Sequence, residues 1–429
     1  MTGRGAPEMA TRPRLPTGTR GLRVAQIVGA SEGAGWAVPI CAGLQARGYD
    51  VVAVVGAPGG RLMADLRRTG VPVTATPLSF GNRWKAAAYA MRLADATLRL
   101  AVILRQLRVD IAHAHHFNAV LLGRLAGAVA RVPVRIGMIP GPAHLEAPLT
   151  ARIDRLTGRL EHRTVASCEY IRMLYRALGV PSCRLARVHY GADADRFDPR
   201  LADPARVRQD LGLSADAPLV GQVAYFYPPS QGWHVSPSVR GLGIKGHEDF
   251  LAAAQLLHAR MPAVRFVLVG RGLSAAGERY RNELQHRCRA AGLDRIVMFV
   301  GYRPDIPDVL AALDVAVQCS LTESLGGTIE SLLMAVPTVA TTAGGLPETV
   351  RDGVTGQLVP PRDPPSLAAA IEWALRNRDR ARAMALVGRQ DMLSRFTMEH
   401  TVAHIDALYR ELTAERTVGP AGTRGGLGS

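Results

Sequence analysis

Short runs of β-branched and other apolar residues alternate along the chain with segments whose apolar residues recur at helical spacing. In the first part of the chain these runs are LRVAQIVG, DVVAVVG, VPVTATP, VDIAHAHH, VPVRIGM and TVASC. The alternation then restarts, with APLVGQVAYF, VRFVLVG, RIVMFVG, DVAVQCS and TVATT. Strands that alternate with helices predict βαβ units and parallel sheets. The chain is therefore predicted to be an α/β protein with two Rossmann-like, doubly wound domains.

Composition at the two ends of the chain helps to set the domain limits. Pro, Gly and Arg dominate residues 1–21, and low-complexity sequence fills residues 415–429, so both ends are predicted to be disordered tails. The first domain is predicted over residues 22–200 and the second over residues 201–397. A final helical pattern, at about residues 398–414, could pack on either domain.

Charge is distributed unevenly between the two halves. The net charge is +16; residues 1–200 carry 28 basic against 13 acidic side chains, whereas residues 201–429 carry 24 against 23. The first half therefore provides the field that would attract an anionic acceptor or an anionic membrane surface. Only Lys85 and Lys245 are lysines among the 52 basic residues, which indicates that these positions need a compact point charge.

The sequence lacks the signatures of membrane-spanning, secreted and metal-binding proteins. No apolar run approaches the ~18 residues of a spanning helix, and the first residues lack the apolar core of a secretory signal. The five cysteines are scattered, without a pair at metal-ligand spacing. These features predict a cytoplasmic protein that could associate with a membrane surface, with no obligatory metal or cofactor and no nucleic-acid partner.

Glycine-rich sequences lie at four predicted strand ends of the second domain. They are GIKG with Lys245, VGRG with Arg271, ESLGGT with Thr328 as a cap or donor, and TTAGGLPE. Glycines at the carboxyl ends of parallel strands let backbone amides approach a ligand. A single glycine pair would more often be a plain turn, but the four together predict a diphosphate site.

Two glutamates flank the glycine pair in TESLGGTIES. A diphosphate would repel a carboxylate, so Glu330 is predicted to accept hydrogen bonds from a ribose diol, and Glu323 to reach a sugar or a cation. The plainer alternatives are a first-turn glutamate favoured by the helix dipole for Glu330 and a solvated loop charge for Glu323.

The run ESLGGTIESLLMAVPTVATTAGGLPETVRDGVTGQLVPP resembles the donor-site block of family 4 glycosyltransferases (glycosyltransferases group 1), which are retaining enzymes of the GT-B fold. GASEGAGWAVPICAGLQARGYDVVAVV, HYGADADRFDP and GIKGHEDFLAAA resemble further landmarks, so the resemblance covers about residues 22–414. It implies two Rossmann-like domains facing across a cleft, with a nucleotide-sugar donor on the second domain and the acceptor on the first. It also implies that the final helix crosses back onto the first domain.

The resemblance implies roles for individual residues as well. Glu330 matches the family's ribose ligand, and Lys245 matches the lysine that neutralises the diphosphate. Tyr302 lies where the family places its base. The loops that meet the sugar and the phosphates are matched by Leu325, Gly326 and Gly327 in the second domain and by Gly33 and Gly35 in the first.

The sequence departs from the family pattern in three places. Six residues separate the two glutamates instead of seven, which shifts Glu323 relative to the sugar. The family's basic residue after the first strand of the second domain is Tyr225 here, so Arg271, or Arg240 in a long Pro- and Ser-rich loop, is predicted to supply the second phosphate charge. The family histidine after the fifth strand of the first domain is missing, and His144 is the nearest substitute.

Two basic or histidine-rich segments allow more than one interpretation. His113, His115 and His116 end a strand without a nearby carboxylate or cysteine, which favours satisfied side chains over metal ligands. His115 or His116 could still line the acceptor cleft. Residues 82–108, with Trp84, are predicted to form a solvated helix, for which anionic lipid or a phosphorylated acceptor is an alternative partner.

These features together predict a retaining glycosyltransferase. It would move a hexosyl unit from a nucleoside diphosphate sugar to a hydroxyl of a glycan, a lipid-linked molecule or a small molecule. The predicted catalytic residues are Lys245, Glu323, Arg271 and His144. Two alternatives stay open: a sugar-nucleotide epimerase on the same fold, and a non-catalytic nucleotide-sugar-binding subunit.

Overall fold

The computed structural model describes residues 21–78, 86–232 and 235–417. The predictions made for Trp84 and for most of the two tails lie outside these residues. At the C-terminal end, the last helix continues to Thr417, so residues 415–417, which the sequence placed in the second tail, are helical.

The first domain is built on a seven-stranded parallel sheet with strand order β3-β2-β1-β4-β5-β6-β7. Its strands are β1 (Arg23–Val28), β2 (Asp50–Val55), β3 (Val73–Ala75), β4 (Ile111–His115), β5 (Val134–Ile139), β6 (Arg163–Ala166) and β7 (Leu185–Arg187). The helices between them are α1 (Ala37–Ala46), α2 (Arg61–Arg68), α3 (Ala86–Gln106), α4 (Phe117–Val129), α5 (Pro148–Thr157) and α6 (Glu169–Ala177).

The second domain is built on a six-stranded parallel sheet with strand order β10-β9-β8-β11-β12-β13. Its strands are β8 (Leu219–Val223), β9 (Arg265–Val269), β10 (Val297–Gly301), β11 (Val315–Gln318), β12 (Thr338–Thr341) and β13 (Gln357–Val359). Its helices are α7 (Pro204–Asp210), α8 (His247–His258), α9 (Ala275–Ala290), α10 (Ile306–Ala312), α11 (Thr328–Leu333), α12 (Pro364–Arg376) and α13 (Arg378–Arg395).

Successive side chains of the central strands enter different layers of the core. In β1, Ala25 and Ile27 pack in one apolar cluster, whereas Val24 and Val28 pack in another on the opposite face of the sheet. Both faces are covered by helices, which is why the strands are almost continuously apolar. The prediction of two doubly wound domains that face each other across a cleft is confirmed. The structure adds that carboxyl strand ends of both sheets lie at the cleft.

The last helix, α14 (Met398–Thr417), returns to the first domain and packs against α1. Val402 fits beside Gly43, where a Cβ atom would lie 2.8 Å from a Val402 methyl group. Gln26 Nε2 donates to the Tyr409 hydroxyl at 2.9 Å inside the same layer. Of the two positions that the sequence left open for this helix, the structure shows the one on the first domain.

Within the described parts of the chain, no helix is both long enough and apolar enough to span a lipid bilayer.

Candidate active site

A cavity of about 810 Å³ lies between the two domains, at the carboxyl ends of their strands. The first domain contributes the loop after β1 together with parts of α1 and α2, and the second contributes the ends of β8, β9 and β11 and the start of α11. Eight of the predicted site residues line it: Gly33, Gly35, Lys245, Tyr302, Glu323, Gly326, Gly327 and Glu330. The topology therefore brings most of the predicted set to one place.

Lys245 and Glu323 form an ion pair on the second-domain wall of the cavity. Burial lowers the pKa of Lys245, but the adjacent Glu323 carboxylate outweighs this effect and leaves that pKa above its ordinary value. Ser320 Oγ also donates to Glu323 Oε2, at 3.1 Å. The ammonium group lies 5.7 Å from the centre of the Tyr227 ring. A fixed positive and a fixed negative charge thus stand side by side in the cavity.

The shortened loop between the glutamates still directs Glu323 into the cavity. Gly326 adopts a φ of 56°, a left-handed conformation that other residues rarely take. A Cβ atom at Gly326 would lie 3.1 Å from both Gln318 Nε2 and Glu323 Cγ. The glycine thus permits a tight turn that keeps Glu323 beside Lys245 despite the missing residue.

Two predicted residues of this loop, Leu325 and Thr328, are buried beneath it and stabilise it. The Leu325 side chain is buried, and Thr328 is completely buried. The Thr328 hydroxyl donates to the Leu325 carbonyl, and it lies 2.7 Å from the Thr349 hydroxyl. Their side chains hold the turn in shape, so the cavity surface of the loop consists of Gly326 and Gly327.

Glu330 lies in the first turn of α11 and also lines the cavity. Burial raises the pKa of this carboxyl to about 6, and the charge of Arg196 acts in the opposite direction. Arg196 follows β7 in the chain, lines the same cavity and donates to the Pro304 carbonyl at 3.1 Å. A desolvated carboxylate with a nearby guanidinium is suited to accept hydrogen bonds from neighbouring hydroxyls.

The two domains are joined across the cavity by an ion pair. Glu32, in the glycine loop of the first domain, accepts from Arg271 of the second at 2.6 Å and from the Arg61 backbone N–H at 3.0 Å. The guanidinium groups of Arg61 and Arg271 lie 4.9 Å and 5.3 Å from the centre of the Tyr302 ring. Gly33 approaches Tyr225, whose ring would be 3.4 Å from a Cβ atom there. Arg271 is therefore engaged by Glu32 at the rim in this structure.

His144 and Arg240 lie away from the predicted set. His144 is 8% exposed, and its ring stacks on Phe117 with centroids 4.8 Å apart. Its Nε2 is 3.9 Å from Asp154, and burial lowers its pKa to about 4. The segment turns into the domain core, so His144 does not reach the cavity as the sequence predicted. Arg240 is exposed, and its guanidinium donates to the Val235 carbonyl at 3.4 Å within its own loop.

The TTAGGLPE sequence joins the domains instead of lining the cavity. Glu348 Oε1 accepts from the backbone N–H groups of Glu169 at 2.6 Å and Tyr170 at 3.3 Å, at the start of α6 in the first domain. Nearby, the hydroxyls of Ser167 and Ser324 are 2.8 Å apart. A carboxylate from one domain thus caps a helix of the other. The prediction that this strand end belongs to a diphosphate site is not supported by its position.

The histidines at the end of β4 belong to a buried hydrogen-bond chain. His115 lies 2.7 Å from the Tyr190 hydroxyl through Nδ1 and 2.7 Å from Gln26 Oε1 through Nε2. Gln26 Nε2 donates to the Tyr409 hydroxyl, which in turn lies 2.7 Å from His113 Nδ1. Burial lowers the pKa of His113 to about 3. The chain links β1, β4 and α14, and in the described parts of the protein no group of His, Cys, Asp and Glu residues is arranged to hold a metal ion.

The sequence did not single out several residues that line the first-domain wall. Trp36 packs against Tyr190 and His115 with ring centroids 4.5 Å and 4.8 Å apart and borders the cavity. Arg61 and Arg68 of α2 border it as well. A signal was present for the arginines, because both belong to the basic first half of the chain. Trp36 had no such signal beyond its place in the glycine-rich loop.

Two family models match the chain, one on each side of the cavity. The model described as a glycosyl transferase 4-like domain matches residues 36–191, and the model described as glycosyl transferases group 1 matches residues 238–377. The second match includes both Lys245 and Glu330. The chain belongs to the group 1 glycosyltransferases.

Curated relatives of this glycosyltransferase are similar over parts of their length. A D-inositol 3-phosphate glycosyltransferase from Corynebacterium urealyticum is 31% identical over 245 residues, which are 56% of this chain and 54% of that protein. The matched segment thus spans about half of that relative. A 2-deoxystreptamine N-acetyl-D-glucosaminyltransferase from Streptomyces fradiae is 28% identical over 357 residues, 77% of each chain.

Solved glycosyltransferase structures share the fold. The crystal structure of Anabaena Alr3699/HepE in complex with UDP and glucose superposes with a TM-score of 0.74 at 20% identity. The superposition covers 92% of this chain and all of that chain. At this identity, the similarity shows the two-domain GT-B fold alone.

Proposed function

We propose that this glycosyltransferase moves a hexosyl unit from a nucleoside diphosphate sugar to a hydroxyl acceptor, with retention of the anomeric configuration. The observation that carries the proposal is the grouping of Lys245, Glu323 and Glu330 around the Gly326-Gly327 turn, inside one interdomain cavity. Membership of the family supports the retaining course. The cavity is large enough for a donor and a small acceptor group together.

The donor would lie mainly on the second-domain wall. Its diphosphate replaces Glu323 as the partner of Lys245, so that the lysine charge meets the negative charge that grows on the leaving phosphate. Glu323, released from the ion pair, then accepts hydrogen bonds from hydroxyls of the transferred sugar. Glu330 accepts from the ribose diol. Each of these three charges thus has a partner in the donor.

UDP and UDP-sugars are the first donors to test. Alr3699/HepE was crystallised with UDP and with UDP-glucose, and this chain shares its fold. The choice of base in this protein would depend on Tyr302 and the arginines beside it. The donor needs no metal bridge in this proposal, because Lys245 provides the counter-charge.

The acceptor would lie against the first-domain wall and carry a negative charge. Arg61 and Arg68 of α2 border the cavity, together with Asp65, which pairs with Arg68. The basic balance of the first half of the chain favours an anionic acceptor over a cationic one. One relative is named for a phosphorylated acceptor, D-inositol 3-phosphate. A sugar phosphate or a lipid-linked phosphate has the matching chemistry.

A binding and transfer experiment tests the proposal. Thermal unfolding is measured with UDP, GDP and ADP, since a ligand that binds the folded protein raises its Tm. The stabilising nucleotide is then supplied as its labelled sugar conjugate with sugar phosphates as acceptors, and the product anomer is read by NMR. A retained anomer is expected. Epimerised donor without transfer would favour the epimerase alternative, and binding without any turnover would favour the non-catalytic subunit.

A further inference from the structure

One outer face of the first domain combines exposed apolar side chains with arginines. The face is formed by α3, the end of α4, and α5, because α3 packs on α4 and α4 packs on α5. We call it the α3–α5 face. It lies on the side of the sheet opposite to α1, α2 and α14.

Large apolar side chains project from this face. On α3, Met91, Leu98 and Val102 are 68%, 59% and 49% exposed, and on α5 Leu149 and Leu156 are 49% and 65% exposed. Their spacing of four or seven residues places those of each helix on one side of it. The exposed apolar residues of α3 and of α5 thus form one stripe on each helix.

Arginines accompany these stripes with almost no acidic counterpart. Eight arginines of this region are exposed: Arg92, Arg99, Arg105, Arg108, Arg131, Arg152, Arg155 and Arg159. Among the described residues from 88 to 160, Asp95 is the one exposed carboxylate, and it pairs with Arg99 at 2.9 Å. On α5, Arg152 and Arg159 continue the line of Leu149 and Leu156.

The starts of α4 and α5 lie on the same edge of the first-domain sheet as the cavity. Helix α4 follows β4 after His116, and α5 follows β5 after residues 140–147; the carboxyl ends of both strands point to the interdomain cleft. A flat partner on this face would therefore extend towards the sheet edge that borders the interdomain cleft. An acceptor anchored in that partner would reach the first-domain wall of the cavity from the side of the α3–α5 face.

We infer that the α3–α5 face docks on an anionic lipid bilayer. Arginine guanidinium groups bind lipid phosphates through paired hydrogen bonds, and the apolar side chains enter the boundary between headgroups and acyl chains. A second copy of the chain is a poor partner, because two such faces would oppose rows of arginines. A nucleic acid would use the arginines but leave the apolar stripes in water. The inference extends the proposed function. It depends on that proposal in one respect only, which is the nature of the acceptor.

The second domain offers a matched surface for comparison. Helix α13 exposes Arg378 and Arg382, with Leu386 at 56% exposure, but it also carries Asp379 and Asp391. Asp391 pairs with Arg395 of the same helix. Helix α13 thus carries a similar mixture of side chains, five arginines against two aspartates, on the other domain.

Vesicle co-sedimentation tests the inference. The full chain is mixed with vesicles of phosphatidylcholine alone or of phosphatidylcholine with phosphatidylglycerol, and the bound fraction is measured. The triple variant Arg152→Gln, Arg155→Gln, Leu156→Ser should bind the anionic vesicles at least about tenfold more weakly than the parent chain. The matched triple variant Arg378→Gln, Arg382→Gln, Leu386→Ser should bind them like the parent.

Several outcomes would overturn the inference. They are no binding of the parent chain to anionic vesicles, an equal loss in both triple variants, or a dimer in solution that the first triple variant dissociates. The Tm and its increase with UDP are recorded for all three proteins and should be the same. If the parent chain binds vesicles but no nucleotide, the docking surface stands and the proposed donor site is wrong.

Discussion

The two walls of the cavity are held in place in different ways. On the second-domain wall, Lys245 and Glu323 are paired, and Glu330 is desolvated in the first turn of α11. On the first-domain wall, Arg61 and Arg68 project from α2 and are largely exposed. The charges of the donor wall are therefore paired or buried, whereas those of the acceptor wall are exposed, and the position of one wall relative to the other depends on how the domains are held together. Mutations on the second-domain wall should therefore act on donor binding, and mutations between the walls should act on how the two domains are held together.

The largest effect is expected from Lys245→Ala. Without the ammonium group, the charge on the departing diphosphate has no fixed counter-charge, so transfer should fall by about 10² to 10³-fold. Steady-state transfer rates measure this effect. Arg260→Ala is a suitable control, because Arg260 forms an exposed pair with Glu372 on the outer surface. Near-normal turnover of the Lys245 variant would show that Lys245 does not provide the counter-charge for the diphosphate.

Glu330→Gln should weaken nucleotide binding and stabilise the free protein. Loss of the charged hydrogen bonds to the ribose should reduce UDP affinity by about 10 to 100-fold, measured by calorimetry. The neutral amide avoids the burial of a charge, so the free energy of unfolding at about pH 7.5 should rise by on the order of 1 kcal/mol. If both quantities fall, Glu330 is a structural residue and not a ribose ligand.

The pH dependence of UDP binding should be determined by the ionisation of Glu330. In the folded free protein, burial raises the pKa of Glu330 to about 6. Protonation is thus favoured by folding, and its stabilising contribution is lost as the pH rises through that value. Nucleotide binding has the opposite sign, because the ionised form accepts from both ribose hydroxyls. UDP affinity should fall as the pH drops below about 6 in the parent chain, and Glu330→Gln should flatten this part of the curve.

Smaller effects are expected at the ion pair between the walls. Because Glu32 and Arg271 are both partly exposed, Glu32→Gln should change the free energy of unfolding by about 1 kcal/mol or less. The informative measurement is UDP affinity in Glu32→Gln and in Arg271→Ala. If Arg271 turns to the phosphates once released, the first variant should bind UDP more tightly and the second more weakly. If the pair only holds the cleft, both should change in the same direction.

No effect is expected from metal removal. Lys245 supplies the counter-charge in the proposed site, so a chelator should leave UDP affinity unchanged. Calorimetry of UDP binding with and without the chelator measures this. A loss that is restored by Mg²⁺ or Mn²⁺ would show that the donor wall is incomplete without a metal ion.

The contrast between the walls also explains what the sequence could predict. The two-domain fold followed from strands that alternate with helices and from their apolar runs. Lys245, Glu323 and Glu330 could be predicted to meet because each lies between the carboxyl end of a strand and the first turn of the helix that follows it, in one parallel sheet. Their meeting point is thus determined by local sequence together with a general rule of sheet topology.

The contacts that the sequence did not predict depend on long-range packing. His144 lies at a strand end too, yet its segment turns inward and stacks on Phe117. Arg271 follows a strand that ends in glycine, as expected, but it forms an ion pair with Glu32 of the other domain. Glu348 caps a helix of the first domain from the second. None of these contacts is visible in the spacing of residues along the chain, because each joins segments that are distant in sequence.

The central claim is that Lys245 binds a diphosphate while Glu330 binds a ribose. Calorimetry with UDP and with uridine, on the parent chain, Lys245→Ala and Glu330→Gln, tests it most directly. We predict that Lys245→Ala loses affinity for UDP but keeps that for uridine, and that Glu330→Gln loses affinity for both. Equal losses for UDP and uridine in the Lys245 variant, or unchanged binding in both variants, would contradict the account.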